Sequence, residues 1–122
     1  MLMTTSEIAT VLAWIDSLND RDLDTLDKLS SGDIEIGDAN GATQGRNALR
    51  AWATDLDERA TVGRLFVHDG VVVAEQTITG GGADREAATA FRVVHDHVTS
   101  AFRHDDLASA LAATELIESD AV

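Results

Sequence analysis

The hydrophobic period of this chain is mostly helical before residue 60 and two after it, and that order limits the fold more than any other feature. Ile8, Val11, Leu12, Ile15 and Leu18 recur at helical spacing, with Trp14 at the margin of the stripe. Thr4 and Glu7 make a capping box ahead of them. Asn19-Asp20 breaks the pattern. Asp22 is placed to cap a short second helix through Leu23, Leu26 and Leu29. A strand over 33–38 follows, in which Ile34 and Ile36 alternate with Glu35 and Gly37. "ANGATQG" reads as turn chemistry. A third helix runs from about Arg46 to Leu56, with Ala48, Leu49, Trp52 and Leu56 on one side.

From residue 60 the strands are consecutive. "ATVGRLFVH" and "VVVAEQTIT" join at Asp69-Gly70, a strong hairpin signal. "GGGADRE" is a loose, mobile turn; no helix with a lysine follows it, so it is not a phosphate cradle. "AATAFRVVH" and "VTSAFRH" form a second hairpin across Asp96. Asp105 or Asp106 caps a last helix through Leu107 and Leu111, reaching toward Leu116, and the tail "ESDAV" is expected to fray. Helices first and a strand meander after them predict an α+β layer, a curved antiparallel sheet with helices on one face. The chain of 122 residues is read as a single domain over 1–122 with one core.

The charge balance is 9 Lys+Arg against 22 Asp+Glu, a net −13. Such a field repels nucleic acid and anionic membrane surfaces, so neither is expected as a partner. There is no cysteine, which excludes disulfides, thiolate chemistry and cysteine-held zinc. The first residues lack the basic and apolar regions of a secretory signal, and no apolar stretch approaches the roughly 20 residues of a membrane span. The expectation is a soluble, cytoplasmic protein. His95, His97, His68 and His104 are read as solvated turn or strand-end histidines, not as a metal site, and no cofactor is implied.

Three phrases, in this order and spacing, resemble the nuclear-transport-factor-2-like superfamily. "AWIDSLNDRDLDTLDKL" is similar to its opening helix pair, "SGDIEIGDANGATQGRNALRAW" to its first strand, loop and Gly-Arg helix start, and "HDHVTSAFRHDDLASAL" to its last hairpin and closing segment. The superfamily includes ketosteroid isomerase, limonene epoxide hydrolase, scytalone dehydratase and the SnoaL-like, polyketide-cyclase-like proteins. The resemblance implies a cone-shaped fold, an apolar pocket open at one end, and a homodimer through the outer face of the sheet. The pattern of residues 71–79 agrees with two covered faces, since Val71 and Val73 fall on one parity and Val72, Ala74 and Ile78 on the other.

Asp38 is the candidate catalytic residue. It falls on the parity of Ile34 and Ile36, so it carries a carboxylate to the end of a buried face. In "EIGDANG" it resembles the base of ketosteroid isomerase, and partial desolvation there would suit proton transfer beside a carbonyl. The same Asp-Ala-Asn-Gly is also what an ordinary Asx-turn looks like. Trp14 stands where the isomerase has its oxyanion-binding Tyr, and the chain has no Tyr. The Asp-Arg-Asp set of limonene epoxide hydrolase would fall at Gln76, Ile78 and Arg103, none of the required type. These residues, with Trp14, are the candidate substrate contacts. Alternation alone turns Arg103 outward, with Val98 and Phe102 on the opposite face; the resemblance turns it inward, where it would suit a carboxylate or enolate or would pair with Asp38. Two functional classes stand. One is an isomerase, dehydratase or cyclase acting on a small apolar carbonyl or cyclic metabolite with Asp38 as acid/base. The other is a non-catalytic ligand-binding or dimerisation module of the same fold.

Overall fold

The computed structural model describes residues 2–122, with side chains described from Ser6 onward. The elements are α1 (Leu2–Asp20), α2 (Leu23–Lys28), β1 (Ser30–Asp38), β2 (Gly41–Gln44), α3 (Arg46–Asp55), β3 (Arg59–His68), β4 (Val71–Thr79), β5 (Arg85–Val94), β6 (His97–His104) and α4 (Leu107–Thr114), then a 3₁₀ turn at Glu118–Asp120. They form an α+β cone, a six-stranded sheet in the order β2-β1-β6-β5-β4-β3 curled around α1, α2 and α3. All strand pairs are antiparallel except β1 with β6, which closes the order by running parallel.

The helical spacing of α1 buries Val11, Trp14, Ile15 and Leu18, an i, i+3, i+4, i+7 stripe. Trp14 is therefore central to that stripe, and Leu12 is only partly covered. The expected Thr4–Glu7 capping box is not at the helix start, because α1 begins at Leu2 and Thr4 lies inside it. Asp22 accepts from the Thr25 N–H and caps α2 as expected. The Asp69-Gly70 turn has φ of 48° and 80°, and His95-Asp96 has 51° and 63°. Both pairs are left-handed, which matches the twist of the hairpins they close.

Several local expectations change. The first strand begins at Ser30, not at 33, because fully buried Ser30 already pairs with Val98. Part of "ANGATQG" is strand β2, whose four residues pair with β1 though all are exposed. The tail is docked, not frayed. Leu116 is buried against Phe66, Ala121 bridges Phe66, and the Val122 N–H donates to the Leu65 carbonyl at 2.9 Å. It lies on β3, at one edge of the sheet.

Both faces of β4 are covered within the chain. Val72 and Ala74 pack on the helices, while Val73 joins Phe66, Ala88 and Ala110 beneath α4. The apolar outer parity of β4 is thus met by α4 over this region.

The decisive irregularity is in β6. Arg92 pairs with Ser100 and Val93 with Val98, so Thr99 is an extra residue on β6. A bulge of this kind reverses the parity of everything beyond it. Val98 and Ala101 consequently share the buried inner face, and Arg103 follows them inward.

Candidate functional site

The inner face of the sheet and the helices leave a cavity of about 190 Å³. Its apolar wall includes Trp14, Trp52 and Phe91. Trp14 stacks on Trp52 with ring centroids 6.3 Å apart, and meets Phe91 edge-on at 5.4 Å. The tryptophans shape the cavity without filling it. Trp14 does not aim its N–H at a ligand, because the indole donates to Ser30 Oγ at 2.9 Å and the Ser30 hydroxyl donates to the Leu26 carbonyl at 2.7 Å.

Five polar residues lining the cavity come from successive strands: Thr43 on β2, Asp38 on β1, Arg103 on β6, Thr89 on β5 and Gln76 on β4. Thr89 is paired directly with Arg103. Gly37 pairs with Phe102, which sets Asp38 and Arg103 next to each other on adjoining strands. Gln76 is 4% exposed; its Oε1 accepts from the Thr89 hydroxyl at 2.7 Å. Its amide nitrogen makes no hydrogen bond among the described residues and so stays available to an acceptor in the cavity.

Asp38 is exposed at the rim, and its Oδ1 accepts from the Asn40 N–H at 2.8 Å, an Asx-turn. It nevertheless lines the cavity, so the turn geometry and the rim position coexist. Ile78 is fully buried and is not among the residues lining the cavity.

Arg103 lines the cavity and does not pair with Asp38. Its Nη1–H donates to Glu58 Oε1 at 2.8 Å, while Arg85 takes Glu58 Oε2. Burial pushes the Glu58 carboxyl up, but the hydrogen bonds and charges of Arg103 and Arg85 outweigh it and hold the group below its ordinary value. Glu58 is the residue that periodicity missed. It stands in the connection between α3 and β3, where no pattern marks it. Arg21 fixes that connection by donating to the carbonyls of Leu56 and Glu58. Among the described residues no three His, Asp or Glu groups gather closely enough to hold a metal ion, and no helix is long and apolar enough to cross a membrane.

This arrangement of a helix-filled cone with a polar row inside its open end is that of the nuclear-transport-factor-2-like superfamily. Within it, the chain belongs to the SnoaL-like domain family, whose model matches residues 11–108. Solved structures bear out the fold. One similar structure is a nuclear-transport-factor-2-like protein of unknown function from Cytophaga hutchinsonii, with TM-score 0.76, 17% identity, and 82% of this chain and 89% of that chain covered. Another, of Burkholderia pseudomallei, is also a nuclear-transport-factor-2-like protein of unknown function, with TM-score 0.74, 15% identity, and coverage of 88% and 95%. A third is an LEH-like epoxide hydrolase of M. tuberculosis, with TM-score 0.70, 19% identity, and coverage of 93% and 97%. No curated protein matches this chain.

Proposed function

We propose that this SnoaL-like domain is a small-molecule pocket protein for a compact, largely apolar ligand carrying one polar acceptor oxygen. The observation that carries this reading is the Gln76 side chain, which lines the same cavity as Arg103 with an N–H₂ that makes no hydrogen bond among the described residues. The nitrogen is open to the cavity, and a ligand carbonyl or ether oxygen would take this donor in place of water. The aromatic wall supplies the apolar contact. The volume of about 190 Å³ lies below the roughly 300–1,000 Å³ of pockets for drug-sized ligands, which favours a single ring over a steroid.

A second reading adds catalysis and rests on the polar row. With an acceptor oxygen held by Gln76 and Arg103, the neighbouring Asp38 would face the carbon or hydroxyl next to it. Asp38 would then act as acid/base, while the two donors stabilise a developing enolate. Among the described residues Asp38 Oδ2 makes no hydrogen bond, so it is available for the proton.

The test is a thermal-shift and tryptophan-fluorescence screen of wild type, Gln76→Leu and Asp38→Asn against cyclic ketones, phenols, lactones and epoxides. Binding is expected in wild type and lost in Gln76→Leu. If binding persists in Asp38→Asn while turnover of the bound compound stops, the catalytic reading stands. Absence of binding to wild type across all four classes would defeat both readings.

A further inference from the structure

Among the described residues Arg103 is the only basic side chain lining the cavity. Its charge is already met: Glu58, whose side chain is 13% exposed, takes its Nη1–H at 2.8 Å. The second cation on Glu58 is Arg85, which does not line the cavity and whose side chain is 52% exposed, so water and salt screen it. On the other side of Arg103 stands Asp38, on the adjoining strand and on the same cavity. Arg103 is thus a cation already paired, with two carboxylates at its flanks and Arg85 as the second, more exposed cation, inside a chain of net charge −13. A ligand carboxylate would enter as a third anion and compete with Glu58 for the charge of Arg103. A neutral acceptor would take the remaining N–H groups of Arg103 and the Gln76 amide without disturbing that pair.

From this arrangement we infer that the ligand is neutral, and that Glu58 is the residue that sets its charge. The inference rests on the small-molecule reading above. Glu58 touches Arg103, not the ligand, so it acts as a specificity-determining residue through the arginine it holds. Its own place is fixed by the Arg21 bonds to the Leu56 and Glu58 carbonyls, which keep the carboxylate at the end of the polar row.

The experiment compares benzamide and benzoate, which share a shape and differ in charge. Quenching of tryptophan fluorescence reports directly, since the chain has two tryptophans and both line the cavity. Wild type is expected to bind benzamide about tenfold or more tighter than benzoate. Glu58→Gln should bring the ratio to about one or below by gaining benzoate affinity, with circular dichroism confirming the fold. Wild type is measured also near 1 M salt, where the Debye length is about 3 Å. A preference held by the site survives there, and this arm decides the matter if Glu58→Gln does not fold. Equal affinity for the two probes, a preference for benzoate, a ratio unmoved in folded Glu58→Gln, or a preference abolished by salt would each overturn the inference. Equal binding would leave the pocket reading intact; quenching by neither probe would overturn this inference, and the pocket reading with it if the ketones, phenols, lactones and epoxides also fail.

Discussion

Arg103 pairs with Glu58 and not with Asp38. The two acids flank it, one on the neighbouring strand β1 and one in the connection before β3, and the guanidinium closes on Glu58 at 2.8 Å. That choice leaves Asp38 without its cation. An arginine paired with Asp38 would hold its carboxylate ionised and weaken it as a base. The competing pair therefore leaves Asp38 free for the acid/base role proposed for it.

The same ion pair should appear in the acid limb of stability. The Glu58 carboxyl is held below its ordinary value of 4.5 in the folded chain. Its contribution is thus complete above the unfolded value and is lost as pH falls through the folded one. Urea unfolding of wild type and Glu58→Gln between about pH 6 and pH 3 should show curves that converge on acidification. A constant separation across that range would mean that the pair contributes no pH-dependent stability.

Gly37 is required by its neighbours. A Cβ there would lie 2.7 Å from the Gly41 carbonyl oxygen, 2.8 Å from Ala42 Cβ and 2.8 Å from a Phe102 ring carbon. Gly37→Ala should cost about 1–3 kcal/mol, because strand β2 and Phe102 must both move. Gly32 in the same strand has nothing within 4 Å of such an atom, so Gly32→Ala should change stability by under about 0.5 kcal/mol. Equal losses for the two would show that close approach is not the reason for glycine at 37.

Trp14→Phe keeps an aromatic ring but removes the donor to buried Ser30. The expected loss is about 1–3 kcal/mol in chemical denaturation, from a buried acceptor left without its N–H. Ser30→Ala should cost less in the Trp14→Phe background than in wild type, where it breaks both the Trp14 bond and the Ser30–Leu26 bond. Fully additive losses would mean that the two side chains do not act through this bond.

The docked tail predicts a stability role where a frayed end would have none. Leu116→Ala should cost about 2–5 kcal/mol by opening space beside Phe66. Exposed Ile117, 62% accessible, provides the control: Ile117→Ala should fall within about 0.5 kcal/mol of wild type. A melting temperature unchanged by Leu116→Ala would return the tail to the solvent.

The sequence was most legible where one local rule governed. Asp69-Gly70 placed the β3–β4 hairpin, and Asp22 placed the start of α2, because a turn and a cap are each decided within a few residues. Strand β2 had no such mark. Gly41, Ala42, Thr43 and Gln44 are all exposed, so pairing with β1 alone makes them a strand. The site was partly legible for the same reason. Gln76 lies on a regular strand and its parity held. Arg103 lies beyond the Thr99 bulge, and no residue type announces a bulge, so simple alternation turned it the wrong way. Glu58 belongs to a connecting segment, and only the folded chain brings it to a residue 45 positions away.

Thr99 gives this cone a correction of register. The extra residue lets Val98 and Ala101, three positions apart, share one face, and so presents Arg103 to the cavity. Its deletion would leave Val98 and Ser100 consecutive and pairing regularly with Val93 and Arg92, with every residue from Ser100 to His104 still on its present face. A lineage could therefore lose that codon and keep its guest, because the tolerance for one residue lies in the bulge and not in the cavity wall.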